Sequence, residues 1–489
     1  MTVPAVLGVD IGTSSSKGVL VGLDGTLLRT AVREHAVDRP IPGHVEMDGR
    51  VWWTEFVSLA RELGQDAEVR AVGVSGMGPC VLLADADDVP VRPAVLYGVD
   101  TRSTAQIARL ESELGAEEIR RLGGSDLSSQ AAGAKIAWVA DEEPELFARA
   151  RRLFMPSSWL VRRLTGEYVL DHHSASQCTP LYDVGRLDWH GPWAERIAPG
   201  LDLPPLRWPG EVAGKLSMQA ARETDLPAGV PVITGTIDAW AEALSVGAHE
   251  PGDLMLMYGT TMFLIHTAAE HRTWPGLWGT VGALPGTYNL AGGMATSGAI
   301  TAWLRELVGA GYEELLHEAA GAGRGANGLL MLPYFAGERT PVMDPRARGV
   351  IVGLSLSHTR GDLYRAALEA TGFAVRHNIE TIRAAGGDIR RVVAVGGGTQ
   401  GGLWTRIVSD ITGLPQHLRA TSIGASYGSA FLAAQAVGPA EIDDWNPVRE
   451  EVVPQPEAVA DYDRLYRLYQ QLYPSTASLA HELADRQLR

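Results

Sequence analysis

A pattern that occurs twice, about half a chain apart, constrains this sequence most. An apolar strand, Ala5–Asp10, meets a turn of small residues, Gly12-Thr13-Ser14-Ser15-Ser16, and a second strand, Lys17–Leu23, leads away from it. The layout returns as Leu254–Tyr258, Gly259-Thr260-Thr261 and Met262–Thr267. The repeat predicts two related α/β domains, residues 1–248 and 249–489, with a boundary near VGAHEPG at 246–252. Length agrees, because 489 residues exceed the roughly 250–300 at which a single core stops growing.

Around the first copy the chain reads as a meander. Asp24-Gly25 turns it into a third strand, Thr26–His35. Apolar residues at helical spacing predict a helix over Arg50–Gly64, and strands follow at Val69–Ser75 and Cys80–Ala84. The second half is richer in helix, with Ala299–Val308, Arg360–Ala385, Leu403–Gly413 and Ala425–Ala436. GAGRGANG at 321–328 reads as a flexible connection. Ala458–Leu488 reads as a helix broken or kinked at Pro474, packing on its own domain or on a second subunit, which leaves a homodimer open.

A net charge of −16 makes nucleic acid and anionic membranes unexpected partners. No apolar run reaches the ~18 residues of a membrane span, and MTVPAVLGVDIGT lacks the basic-then-apolar pattern of a secretory leader. Cys80 and Cys178, the two cysteines, read as reduced core residues, so the expected location is cytoplasmic.

Four segments carry chemistry. In LGVDIGTSSSKG, a strand delivers Asp10 to a turn of small and hydroxylated residues, which exposes N–H groups to an anion. An aspartate there suits a hydrated Mg²⁺, with Lys17 as a nearby cation, or else is an ordinary turn residue. Gly259-Thr260-Thr261 is a second such turn. In RVVAVGGGTQGG, Gly396, Gly398 and Gly401 meet the G-x-G-x-x-G spacing, but Gln416–Ala420 lacks the acid a dinucleotide site needs. A glycine loop that admits adenine fits better. In VPVITGTIDAWAEAL, Asp238 sits at a strand–helix junction, as a helix N-cap or as a general base for a substrate hydroxyl.

With these segments in hand, the chain resembles the FGGY carbohydrate kinases, and among them the xylulokinases most. GVIVGLSLSHTRGDLYRAALE, residues 349–369, fits the family's C-terminal signature, closing at Glu369, and LPYFAGERTPVMDPRARGV, residues 332–350, resembles the stretch before it. Lys135–Val139 through Glu142 matches the latter half of the N-terminal signature, with Ala132 where Pro, Ser or Thr is usual. The resemblance implies an α/β fold of two ribonuclease-H-like, actin-like ATPase domains flanking a nucleotide cleft. It implies ATP and Mg²⁺ as cofactors, a small sugar or polyol as partner, and phosphorylation of D-xylulose or of another ketose, polyol or sugar acid; an ATP-hydrolysing clamp or chaperone of the same superfamily is the distant alternative.

Residue by residue, the resemblance assigns Asp10 to Mg²⁺. Gly12, Thr13, Ser14 and Lys17 fall in the first phosphate motif, Gly259, Thr260 and Thr261 in the second, and Gly397, Gly398 and Gln400 in the adenosine motif. Asp238 takes the place of the catalytic base. The acceptor side falls to Met77, Gly78, Pro79, Asp100 and Arg102, together with Asp238. Here the chain departs from the family: Ser75-Gly76-Met77-Gly78-Pro79-Cys80 lacks the usual glutamine and histidine, and Tyr97–Arg102 is one residue longer than W-x-D-x-R. Two further features read as structural, Trp52-Trp53 as core or pocket wall and His172-His173 as a surface loop.

Overall fold

A computed structural model describes residues 3–487; Leu488 of the expected C-terminal helix lies outside the described residues. The chain forms two compact units. Compactness divides it differently from a single cut near 248: residues 269–289 and 423–447 pack with the first 250, and the remainder forms the second unit.

In the first unit the expected meander is β1 (Pro4–Ile11), β2 (Ser15–Gly22) and β3 (Leu27–Glu34). Helix α1 (Gly49–Gly64) starts where the Asp48 carboxylate accepts the Arg50 N–H. Strand β4 (Glu68–Gly76) follows, then β5 (Val212–Lys215), β6 (Pro231–Ile233) and helix α2 (Asp238–Ser245). The sheet order is β5-β6-β4-β1-β2-β3, with β1 parallel to β4 and antiparallel to β2. The strand expected from Cys80 begins only at Leu82.

The second unit repeats the start. Strand β7 (Asp253–Tyr258) pairs antiparallel with β8 (Met262–Ala268). Helices α3 (Gly298–Val308) and α4 (Arg360–Ala384) come next, then β9 (Arg391–Val395), α5 (Leu403–Thr412) and β10 (Gln416–Arg419). Helix α6 (Ala425–Gln435) belongs to the first unit. Strand β11 (Val448–Val452) and helix α7 (Pro456–Gln487) return to the second. Five strands of its sheet run β8-β7-β9-β10-β11, with β7 parallel to β9, so each unit has a hairpin whose first strand gains a parallel neighbour.

Alternation along β1 explains how the first sheet is covered. Ala5, Leu7, Val9 and Ile11 join Trp52, Phe56, Leu59 and Leu63 of α1 in one core. Gly8 and Gly73 point to the other face. A Cβ on either would come within 2.0 Å of a backbone oxygen of α6, at Ser426 and Ser429 respectively. Helix α6 therefore lies directly on β1 and β4, and α2 packs on α6.

Several expectations change. Helix α7 is not broken at Pro474, and its buried Tyr462, Tyr466 and Tyr469 pack on its own unit, around Phe373 of α4. The 321–328 connection is anchored: Glu369 Oε1 accepts the Gly325 N–H at 3.0 Å, Arg365 Nε at 2.7 Å and the Tyr462 hydroxyl at 2.7 Å. Trp52 is core, whereas Trp53 is half-buried and donates to Glu223 at 2.8 Å. Cys80 and Cys178 are free and buried, as expected.

Candidate active site

Strand register assembles the first unit's site. Asp10, at the end of β1, lies opposite Lys17 of β2 and Ser75 of β4, and Thr236 pairs with Ser75 on the far side. Cross-strand partners in one row share a face. The Ser75 hydroxyl donates to Asp10 Oδ1 at 2.8 Å, and Lys17 Nζ donates to the Ile423 carbonyl at 2.5 Å. Burial pushes the Asp10 carboxyl up to about 6, against the opposing pull of Ser75 and Lys17.

The turn that follows is closed by the Gly12 N–H donating to the Ser15 carbonyl at 3.0 Å. Thr13 Oγ1 lies 2.9 Å from the Tyr97 hydroxyl, and Ser14 is exposed.

Asp238 is the first residue of α2 rather than its N-cap; its Oδ1 accepts the Ala239 N–H at 2.7 Å. Burial and then the Asp10 charge raise its carboxyl well above the ordinary range. Glu242, one turn on, is pushed up to about 7 by burial and then by Asp10. Sequence reading passed over Glu242, which looks like an ordinary helix residue there. Met77 donates its N–H to Ile11 at 2.7 Å, and a Cβ on Gly78 would meet Ile237 at 2.6 Å, so Met77-Gly78-Pro79 is wedged between β1 and the entry to Asp238.

Asp100 and Arg102 face inward. Their side chains are 0% exposed and paired at 2.7 Å; Arg102 also reaches Glu46 at 2.7 Å, and Asp100 accepts the Val45 N–H at 2.6 Å. Contact with a substrate would require this cluster to open. His172-His173 is no surface loop either. His173 is fully buried, its ring centroid 3.8 Å from that of Trp240 on α2, with Nδ1 2.7 Å from the Val281 carbonyl oxygen.

In the second unit, the Gly259-Thr260-Thr261 turn is held by its carbonyls. The N–H groups of Ser297, Gly298 and Ala299, at the start of α3, donate to Thr260 or Gly259 at 3.0–3.1 Å. Gly396 (φ +100°) and Gly398 pack beside β7: a Cβ on Gly396 would lie 2.5 Å from the Tyr258 oxygen, and one on Gly398 2.7 Å from Trp404. Gly397 and Gln400 are exposed.

Glu338, from the 332–350 stretch, braces this region by accepting the Ala295 and Arg339 N–H groups at 2.9 and 2.7 Å. Burial pushes its carboxyl up to about 7. Between its ordinary value and about 7, the folded chain holds a proton that the unfolded chain has released, so stability from this group falls as pH rises. Glu338→Gln keeps an oxygen for both N–H groups. The variant is expected to melt above wild type near pH ~8, with the gap closing toward pH ~5 in thermal scans; a pH-independent gap would refute this.

The comparisons with known proteins agree with this architecture. The N-terminal domain of the FGGY family of carbohydrate kinases is matched over residues 5–245, and its C-terminal domain over 254–437. The chain belongs to this family. It is 29% identical to the xylulose kinase of Escherichia coli (strain K12), over 96% of this chain and 100% of that one. It is also 29% identical to a ribulokinase of Mycolicibacterium smegmatis, over 96% and 93%. The crystal structure of xylulose kinase from Rhodospirillum rubrum matches with a TM-score of 0.91 at 32% identity, covering 98% and 100%. The two sheet-bearing units are those of the two-domain, actin-like sugar-kinase fold. This FGGY chain is a carbohydrate kinase of the xylulokinase-like type, and sugar kinases of its family use ATP.

The residues present fit a hydrated Mg²⁺. Asp10 Oδ2, Asp238 Oδ2 and the Glu242 carboxylate accept no hydrogen bond among the described residues. No group of three or more His, Cys, Asp or Glu side chains among those residues converges to hold a metal directly. Mg²⁺ keeps several waters and takes one or two carboxylates, so a full protein cage is not required. No helix among the described residues is long and apolar enough to cross a membrane.

Proposed function

We propose that this kinase transfers the terminal phosphate of ATP to a hydroxyl of D-xylulose, giving D-xylulose 5-phosphate, with Asp238 as general base. The observation that carries the chemistry is the half-buried Asp238 carboxylate, with one oxygen uncommitted, beside Asp10 at the end of the central strands. Such a carboxylate orients the attacking hydroxyl and takes its proton. The turns at Gly12-Thr13-Ser14 and Gly259-Thr260-Thr261 each offer backbone N–H groups and hydroxyls to phosphate oxygens. Lys17, the Gly397-Gly398 loop and Gln400 complete the nucleotide contacts in this reading. Mg²⁺ held through Asp10 would neutralise phosphate charge.

The xylulose assignment rests on similarity to xylulose kinases. A different acceptor within the class is the second reading, favoured by the apolar Met77-Gly78-Pro79 segment and by the equal identity to a ribulokinase. A site lacking a hydroxyl partner discriminates against the corresponding sugar. A coupled ADP-release screen over ketoses, polyols and sugar acids decides between them: D-xylulose should give the highest kcat/KM, and a better substrate among the other ketoses, polyols or sugar acids would displace it.

Asp10→Ala is expected to raise the KM for Mg·ATP roughly tenfold or more while leaving acceptor KM within about twofold. An unchanged Mg²⁺ dependence would remove Asp10 from this role.

A further inference from the structure

Behind the first phosphate turn lies a buried pair that the proposed chemistry does not use. His35 follows β3. Its Nε2 is 3.1 Å from the Gly12 carbonyl oxygen, and its Nδ1 is 2.9 Å from Glu55 Oε2 on α1. The Ser16 hydroxyl donates to the same Glu55 oxygen at 2.5 Å. The His35 backbone N–H donates to the Ser14 carbonyl at 3.0 Å. The turn is thus gripped from behind at Gly12, Ser14 and Ser16 by one histidine and one glutamate, whose side chains are only 7% and 13% exposed.

Both ring nitrogens face acceptors. A carbonyl oxygen cannot donate a hydrogen bond, and neither can an ionised carboxylate. Nε2 meets the Gly12 carbonyl by carrying a proton toward it, and Nδ1 and Glu55 share the second hydrogen bond, which fixes the ring. The Gly12 carbonyl and the Thr13 N–H belong to one peptide unit. Hydrogen bonds in series polarise one another. An Nε2–H held on the carbonyl therefore strengthens the Thr13 N–H as a donor.

We infer that His35, held by Glu55, is a positioning residue for the phosphate donor, fixing and polarising the Gly12–Thr13 peptide toward a phosphate oxygen. The inference rests on the reading that this turn holds ATP phosphates. It makes a distinction that ordinary structural damage would not: binding of the phosphates suffers, and binding of the nucleoside does not.

The test is calorimetric titration of the full chain with ADP, ATP and adenosine in the presence of Mg²⁺, supported by steady-state kinetics. His35→Phe should weaken ADP and ATP about tenfold while adenosine stays within about twofold. Glu55→Gln should move ADP and ATP in the same direction by roughly threefold. His35→Gln, which returns one N–H to the Gly12 carbonyl, should recover part of the loss. In kinetics the KM for ATP rises and that for the acceptor does not. Unchanged ADP affinity in His35→Phe, or an equal loss for adenosine, overturns the inference. If His35→Phe does not yield folded protein, Glu55→Gln and His35→Gln carry the same comparison. Wild-type protein that binds neither ADP nor ATP would instead overturn the nucleotide reading itself.

Discussion

Replacing Asp238 with asparagine is expected to lower kcat by roughly 10²–10⁴-fold, the usual size of a lost general base, without unfolding the chain. The amide keeps an oxygen for the Ala239 N–H and has the same shape. It also removes a carboxylate whose charge is disfavoured by burial and by Asp10. A group whose pKa is raised in the folded state destabilises that state when ionised, so the variant should melt at or above the wild-type temperature near neutral pH. Steady-state kinetics and a thermal scan on one preparation check both halves. Near-normal turnover would remove Asp238 from the role. Lost turnover accompanied by a lower melting temperature would mean that the residue supports the fold.

The second large effect lies away from the chemistry. Gly428 of α6 faces α2, and a Cβ there would sit 1.8 Å from the Ala241 carbonyl oxygen. Ordinary contact would require the two helices to part by about 1.5 Å. Because α6 is already pressed onto Gly8 and Gly73 of the sheet, the displacement falls on α2, which carries Asp238 at its start and Glu242 one turn on. Gly428→Ala should destabilise the protein by roughly 3 kcal/mol or more, as overpacking against backbone does. In the fraction that folds, a shift on the order of 1 Å at Asp238 should lower kcat by about 10²-fold. Gly438→Ala is the control, since a Cβ there meets nothing within 4 Å. Equal melting temperatures and turnover for the two variants would refute the argument.

Much of the site was legible from residue order. An apolar strand that ends in a Gly-Thr turn leaves few structural options, and both hairpins appear where that pattern stands. Asp238 was legible for the same reason: Ile233 ends a strand and a helix follows within five residues. His35 and Glu55 lie 20 residues apart on different elements, and only the packing of α1 against the sheet joins them. Asp100 and Arg102 were placed on the acceptor side because they match a motif, yet the same residues form a sealed ion-pair cluster with Glu46. Exposure is a property of what surrounds a side chain, and no local spacing encodes it.

The sequence by itself determined the two hairpins, the small-residue turns inside them, Asp10 at a strand end and Asp238 at a strand–helix junction, because strand period, glycine and aspartate act over a few residues. The tertiary structure decided how the parts are shared. Helix α6, ASYGSAFLAAQ, carries no charged residue and no polar face, so its pattern demands burial without naming a partner. Glycines at 8 and 73 on the sheet and at 428 on the helix open a space that this helix fills, and it returns from the far end of the chain to pack against α2, which carries Asp238. Such long-range fit depends on shape complementarity between segments hundreds of residues apart, and it exists only once the chain has folded.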